Sequence, residues 1–201
     1  IVNLPSVFKP YGKEIRGSII APEGKLVCGN DMSSLEDNTK QHFMYFFDPE
    51  YVTQMRIPGF DPHLDIALLA GMLTEEQIEE HKLYDKTKGS EGVSHKNVRN
   101  KSKQVNFSCV YGAGPPKISK SSGMTLEEAT LLHTIYWKRN KSVKQVADAV
   151  KTKTINNQMW LYNPISNFWY SLRFEKDKFS TLNQGSGVYC FDSYVKKVRE
   201  K

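Results

Sequence analysis

The sequence is poor in cysteine, has no long apolar run and contains no internal repeat. Its three cysteines, Cys28, Cys109 and Cys190, lie about 80 residues apart. An odd number without CxxC spacing predicts neither a disulfide framework nor a zinc site, and a reducing compartment fits best. The longest apolar stretches, such as Phe43 to Phe47, fall far short of the roughly 18 residues that span a bilayer. No charged-then-apolar leader opens the chain. The expectation is a soluble, cytoplasmic protein with no membrane partner. With 201 residues, 39% apolar and 25% charged, the chain exceeds what a peptide or a disordered tail would show. It has room for one large domain or two small ones.

Charge is present in quantity and is unevenly placed. The net charge of +6 suggests a polyanionic partner. Residues 31 to 80 nevertheless hold eleven acids against Lys40 and Arg56, a net −9. Residues 81 to 120 reverse this with nine Lys or Arg against Asp85 and Glu91, net +7, and Lys138 to Lys153 adds net +5. An acidic segment followed by basic ones suits either a metal beside a phosphate chain or two oppositely solvated faces, and composition alone favours the second.

Local signals give the order of elements. Ile15 to Ile20, a Pro22-Glu-Gly24 turn and Lys25 to Asp31 read as a hairpin, so that Asp31 ends a strand. Ser33 or Ser34 then caps a helix carrying Leu35, Phe43, Phe46 and Phe47. Asp61-Pro62 is a cap with proline at the first helical position. Thr74-Glu-Glu-Gln77 and Thr125-Leu-Glu-Glu128 are capping boxes. The loop from Thr87 to Ser94 leads into a helix from His95 to Tyr111 that ends at Gly112-Ala-Gly-Pro-Pro116. Ser142 caps a further helix, Met159 to Tyr162 and Phe168 to Arg173 read as strands, and a final helix starts near Thr181. The predicted class is α+β: a small antiparallel sheet with helices, interrupted by a helical insertion from about residue 62 to 152.

The most informative string runs from Arg99 to Gly112. At 100° per residue, Arg99, Lys103, Phe107 and Tyr111 each step 40° around a helix, placing two cations and two aromatics on one slanting stripe. Such a stripe suits a triphosphate followed by a sugar and a base. Basic helices are more often solvated faces, and aromatics at helical spacing are more often core.

This string resembles motif B of the family-A, polymerase-I-like DNA polymerases, R-x3-K-x7-Y-G. Asp31-Met-Ser-Ser-Leu-Glu36 resembles that family's motif A, and Asp61-Pro-His63 the D-x-H that follows it. Asn3-Leu-Pro5 and Tyr11 to Arg16 resemble the lead into motif A, and Gln184-Gly-Ser-Gly187 resembles the Q-G-T-A helix of the palm. Five motifs in order, the two lead segments counted as one, extend over nearly the whole chain.

The resemblance implies a phage-type, DNA-directed DNA polymerase with a right-hand palm fold. Residues 1–61 would be the first part of the palm, 62–152 the fingers, and 153–201 the second part of the palm. Asp31, assisted by the Met32 carbonyl, would hold two Mg²⁺ or Mn²⁺ ions. Glu36 would lie under the incoming sugar, meet Tyr111 and exclude a ribose, which also disfavours a single-subunit RNA polymerase. Arg99 and Lys103 would grip the triphosphate, with Lys103 as general acid toward pyrophosphate. His63 would meet a phosphate oxygen. Phe107 would stack near the sugar and discriminate against dideoxynucleotides. Tyr111 and Gly112 would floor the template base, Lys176 would meet backbone phosphate, and Gln184 the minor groove.

Motif C, a His-Asp-Glu segment, does not occur in the sequence, nor do the thumb and exonuclease-like domain. The chain is therefore expected to be a fragment or split subunit. It would act on primer-template DNA and deoxynucleoside triphosphates with a complementary chain that carries motif C and the thumb, in the bacterial host's cytoplasm. An exposed apolar face would be the sign of that partner. The alternative is a non-catalytic DNA- or nucleotide-binding module.

Overall fold

Short polar side chains start several of the helices in the computed structural model, which describes residues 4–5, 7, 9–27, 29 and 31–200. The helices are α1 (Gly12–Gly17), α2 (Leu35–Met44), α3 (Pro49–Met55), α4 (Pro62–Leu69), α5 (Glu75–Lys86), α6 (Lys96–Val110), α7 (Pro115–Ser122), α8 (Leu126–Arg139), α9 (Lys141–Ala149) and α10 (Lys178–Arg199). The strands are β1 (Thr152–Ile155), β2 (Gln158–Asn163) and β3 (Phe168–Leu172). The class is thus α+β. No helix among the described residues is long and apolar enough to cross a membrane.

Both capping boxes form as read from the sequence, Thr74 with Gln77 at α5 and Thr125 with Glu128 at α8. Asp61 accepts from the backbone N–H of His63 at 2.8 Å and of Leu64 at 3.2 Å, with Pro62 at the first helical position of α4. Asp48-Pro49 repeats this device at α3, where Asp48 accepts from the Tyr51 N–H at 3.1 Å. The α9 cap differs from expectation. Asn140 occupies that position and Ser142 is a fully buried residue inside the helix. Ser34 precedes α2 without a side-chain capping bond, and α2 stops at Met44, which leaves Phe46 and Phe47 exposed beyond it.

The chain divides into two units, residues 1–33 and 34–201. In the first, α1 replaces the first strand of the expected hairpin. Arg16 donates from Nε to the Pro5 carbonyl at 2.8 Å, which ties the helix to the preceding chain. The Pro22–Gly24 turn does form, with the Lys25 N–H on the Pro22 carbonyl at 3.0 Å and Gly24 at φ 72°. No strand occurs among the described residues on either side of it, while Cys28 and Asn30 of the predicted second strand, like Asn3 of the lead segment, lie outside the described residues. Ile19, Ile20, Leu26 and Val27 are exposed. A lone two-stranded hairpin without an apolar face to bury is marginal in water, which accounts for the difference. Asp31 consequently lies in irregular backbone, not at a strand end.

The second unit carries the sheet, an antiparallel meander in the order β1-β2-β3. It is not interrupted by the helical insertion, because all three strands follow residue 151. Asn156 and Asn157, at φ 49° and 60°, make the two-residue turn between β1 and β2. Paired positive φ is the geometry that matches strand twist, and asparagine tolerates it better than most residues. β1 leaves no signal in the sequence, because it is exposed throughout and has no alternation of burial. One core joins Phe43, Val52, Val143, Leu161, Leu172 and Leu182, so α2, α3, α9, the sheet and α10 share it. A second core, with Ile66, Val105, Ile118, Leu132 and Tyr136, holds α4, α6, α7 and α8 together.

Small residues let α10 approach its neighbours. A Cβ on Gly185 would lie 2.8 Å from the Tyr170 ring, and one on Gly187 would lie 3.3 Å from Leu35. Between them, buried Ser186 accepts from the Asn163 side-chain amide at 3.0 Å. Gly185, Ser186 and Gly187 are therefore packing positions against β3, β2 and α2 in turn, while Gln184 stays exposed. Gly185→Ala is expected to lower stability by about 1–2 kcal/mol, because overpacking against a ring outweighs the helix-propensity gain of roughly 1 kcal/mol. Urea denaturation measures this, and an Ala variant as stable as the parent would mean that Tyr170 moves aside freely.

Candidate functional site

Helix α6 presents two faces. Ser102, Val105, Asn106 and Cys109 are buried at spacings of three and four, and Val105 and Cys109 join the core shared by α4, α6, α7 and α8. Arg99, Lys103 and Phe107 lie outside that stripe. Lys103 is exposed, with Nζ 5.7 Å from the Phe107 ring centroid, and Phe107 is 36% exposed. Both line an open groove of about 440 Å³ with the uncharged Asn100, Gln104, Ser108 and Ser121. Tyr111 is the capping residue just past the helix, and Gly112 follows at φ 69°. That positive φ turns the chain toward Pro115 and Pro116, which begin α7.

Three distant segments meet beside Tyr111. The Gln184 amide donates to the Tyr111 hydroxyl at 2.7 Å, and that hydroxyl donates to Glu36 Oε1 at 3.4 Å. The neighbouring Asn183 amide donates to the Glu36 carbonyl at 3.0 Å. Burial, and then the adjacent Glu36 charge, raise the Tyr111 pKa, so the phenol remains a donor. Lys176 packs its stem over Gly112, where an added Cβ would sit 3.2 Å from Lys176 Cδ. The start of α2, the end of α6 and the first half of α10 are thus fixed to one another through Glu36, Tyr111 and Gln184.

The second cluster centres on Asp61. Arg99 donates from Nε to Asp61 Oδ2 at 2.6 Å, with both side chains less than a third exposed. Burial alone would raise the Asp61 pKa, but the Arg99 hydrogen bond and charge outweigh it and hold the carboxyl below its ordinary value. The bond uses one of five guanidinium donors. His63, only 7% exposed, takes a 2.8 Å hydrogen bond at Nδ1 from Asn106 Nδ2, which also donates to the Pro62 carbonyl at 3.3 Å. Its proton therefore sits on Nε2. Burial pushes its pKa down to about 4, so the imidazole is neutral near pH 7. Its ring lies 6.1 Å from that of Phe107.

Between these clusters is a narrow crevice of about 20 Å³, space for one water. Lys40, Asn106 and Asn183 line it. The side-chain oxygens of both asparagines are buried without a hydrogen-bond partner among the described residues. Lys40 is itself buried, with Nζ 5.5 Å from the Tyr136 ring centroid, and desolvation lowers its pKa to about 8. Lys40, Asn106, Asn183 and the ion-pairing role of Asp61 were not singled out in the sequence. For Asn106 a signal existed: it is a polar residue on the otherwise inward face of an amphipathic helix. Asp31 and Met32 belong to the other unit. Asp31 is exposed and Met32 partly so.

No family model matches the chain, and no curated protein matches it.

Proposed function

We propose that this chain is the palm and fingers portion of a DNA-directed DNA polymerase. The observation that carries the reading is the Gln184–Tyr111–Glu36 hydrogen-bond chain. It joins three segments that the sequence matched separately to motif A, motif B and the palm helix. In this reading Arg99 and Lys103 bind the triphosphate, and Lys103 protonates departing pyrophosphate. The neutral His63 offers Nε2–H to a phosphate oxygen. Phe107 meets the sugar, Tyr111 and Gly112 the template base, Lys176 the backbone phosphate and Gln184 the primer-template minor groove.

Asp31 and the Met32 carbonyl are oxygen donors of the kind Mg²⁺ or Mn²⁺ takes. Two such ions would stabilise the charge on the attacking and leaving oxygens. One carboxylate holds only part of a two-ion site, and the remaining ligand is assigned to a complementary chain bearing His-Asp-Glu and the thumb. Exposed Val188, Phe191 and Val198 on α10 support such a partner.

The test is primer extension with Mg²⁺ and all four deoxynucleotides, with and without chains carrying His-Asp-Glu. Extension only in the reconstituted mixture is expected. Salt-dependent DNA binding that needs neither Mg²⁺ nor a matched nucleotide, with no extension in any mixture, would leave only a binding module. Glu36→Ala in the active mixture is expected to raise ribonucleotide use relative to deoxynucleotide by roughly 100-fold, about 2.7 kcal/mol. The ratio of the two kcat/KM values measures it. Glu36 is exposed, so the variant should keep its fold, and an unchanged ratio would remove this residue from the sugar site.

A further inference from the structure

The outer face of the sheet has no role in the site above, and its composition is unusual. Strand register places Lys153 opposite Trp160, and Tyr162 opposite Trp169. Alternation sends these four outward, while Leu161 and Leu172 point into the core. Lys153 Nζ lies 3.8 Å from the Trp169 ring centroid, and Lys151 Nζ lies 5.7 Å from Tyr162 and 5.8 Å from Trp169. The Tyr162 and Trp169 centroids are 5.2 Å apart. None of the three strands contains Asp or Glu.

We propose that this face binds single-stranded nucleic acid, with Trp160, Tyr162 and Trp169 stacking unpaired bases and Lys151 and Lys153 meeting phosphates. The proposal goes beyond the polymerase reading and does not depend on it. The charge favours a polyanion, since two ammonium groups stand over the rings with no carboxylate in the strands to neutralise them. The rings favour a single strand, because only unpaired bases offer a free face to an aromatic platform. The lysines are held over the rings by cation–π attraction, worth roughly 0.5–1 kcal/mol at exposed sites, so a stacking base can displace them toward its own phosphates. The face has few side-chain groups for reading base edges. The Tyr162 hydroxyl already donates to Asn167 Oδ1 at 2.7 Å, and recognition should therefore tolerate any sequence.

The experiment titrates the chain with a fluorescein-labelled oligothymidylate and with a duplex of equal length, following anisotropy and tryptophan emission. The single strand should quench emission and the duplex should not. Lys151→Gln/Lys153→Gln, both on exposed side chains, should weaken single-strand binding roughly tenfold. It should also reduce the steepness of log K against log salt by about 1.4, two phosphate contacts at about 0.7 each. Trp169→Leu, checked for an unchanged melting temperature, should remove about half of the quenching, the share left being that of Trp160. Unchanged affinity and salt slope in the double lysine variant would overturn the proposal. So would quenching that is undiminished in Trp169→Leu but disappears in Lys103→Gln, which would assign the strand to α6. Primer extension reports the α6 site separately, so either reading can fail alone.

Discussion

Asp31→Ala is expected to reduce Mg²⁺-dependent primer extension by about a thousandfold or more, roughly 4 kcal/mol of transition-state stabilisation. The melting temperature and DNA affinity should stay nearly unchanged. The reason for the contrast is local. Asp31 is exposed and lies in irregular backbone, so its carboxylate supports no core and caps no described helix. Removing it opens no cavity and strands no buried partner, the two commonest causes of large destabilisation. A loss of extension without a loss of stability would then report chemistry alone. Single-turnover extension in the reconstituted mixture, thermal melting and DNA anisotropy provide the three readings. Near-normal extension would remove Asp31 from metal binding, and a fall in melting temperature that tracks the lost activity would make its role structural.

Asp61→Ala is expected to behave in the opposite way, costing about 2–4 kcal/mol of stability. Two effects combine. The first turn of α4 loses the acceptor for its His63 and Leu64 N–H groups, a capping loss of about 1 kcal/mol. Arg99, less than a third exposed, loses the 2.6 Å partner that offsets its partial desolvation, and losing one side of such a half-buried, charge-assisted hydrogen bond costs about 1–3 kcal/mol. Asp61→Asn separates these effects, because asparagine caps about as well as aspartate but carries no charge. It should recover roughly the capping share and no more. Urea denaturation of both variants measures the partition. If each lost less than about 1 kcal/mol, Arg99 would have found another partner or water, and the pair would be no anchor for α6.

The signals legible in the sequence were those that act within one turn of chain. Thr74, Thr125 and Asp61 could be read as caps because their partners are two or three residues away. The extent of α6 followed from periodicity and from the glycines and prolines after it. Signals that depend on a distant partner were not legible. The Ile15 to Asp31 segment has strand-like composition and a real turn, yet no strand occurs among its described residues, because a turn alone does not hold a lone hairpin. Asn140 displaced Ser142 as the α9 cap because the chain enters that helix directly from α8, burying Ser142. Within the site, the meeting of Glu36 and Tyr111 was expected from resemblance. The Asp61–Arg99 pair and the two asparagines around the crevice required the packed helices to be seen.

Lys40 has a consequence for the molecule as a whole. Its folded pKa of about 8 lies below the ordinary 10.5, so the unfolded chain holds more protons between those values and stability climbs as pH rises through them. His63, at about 4 against 6.5, gives the same slope lower down: stability drains as the solution is acidified from 6.5 toward 4. Each contributes roughly 3 kcal/mol across its window. Cys109, Tyr51 and Tyr136 close the range from above, since burial first of all pushes the thiol up from 9.0 to about 12 and both phenols beyond 10.0, and unfolding lets them ionise. The stability curve should therefore lean to the alkaline side, with its summit at about pH 9.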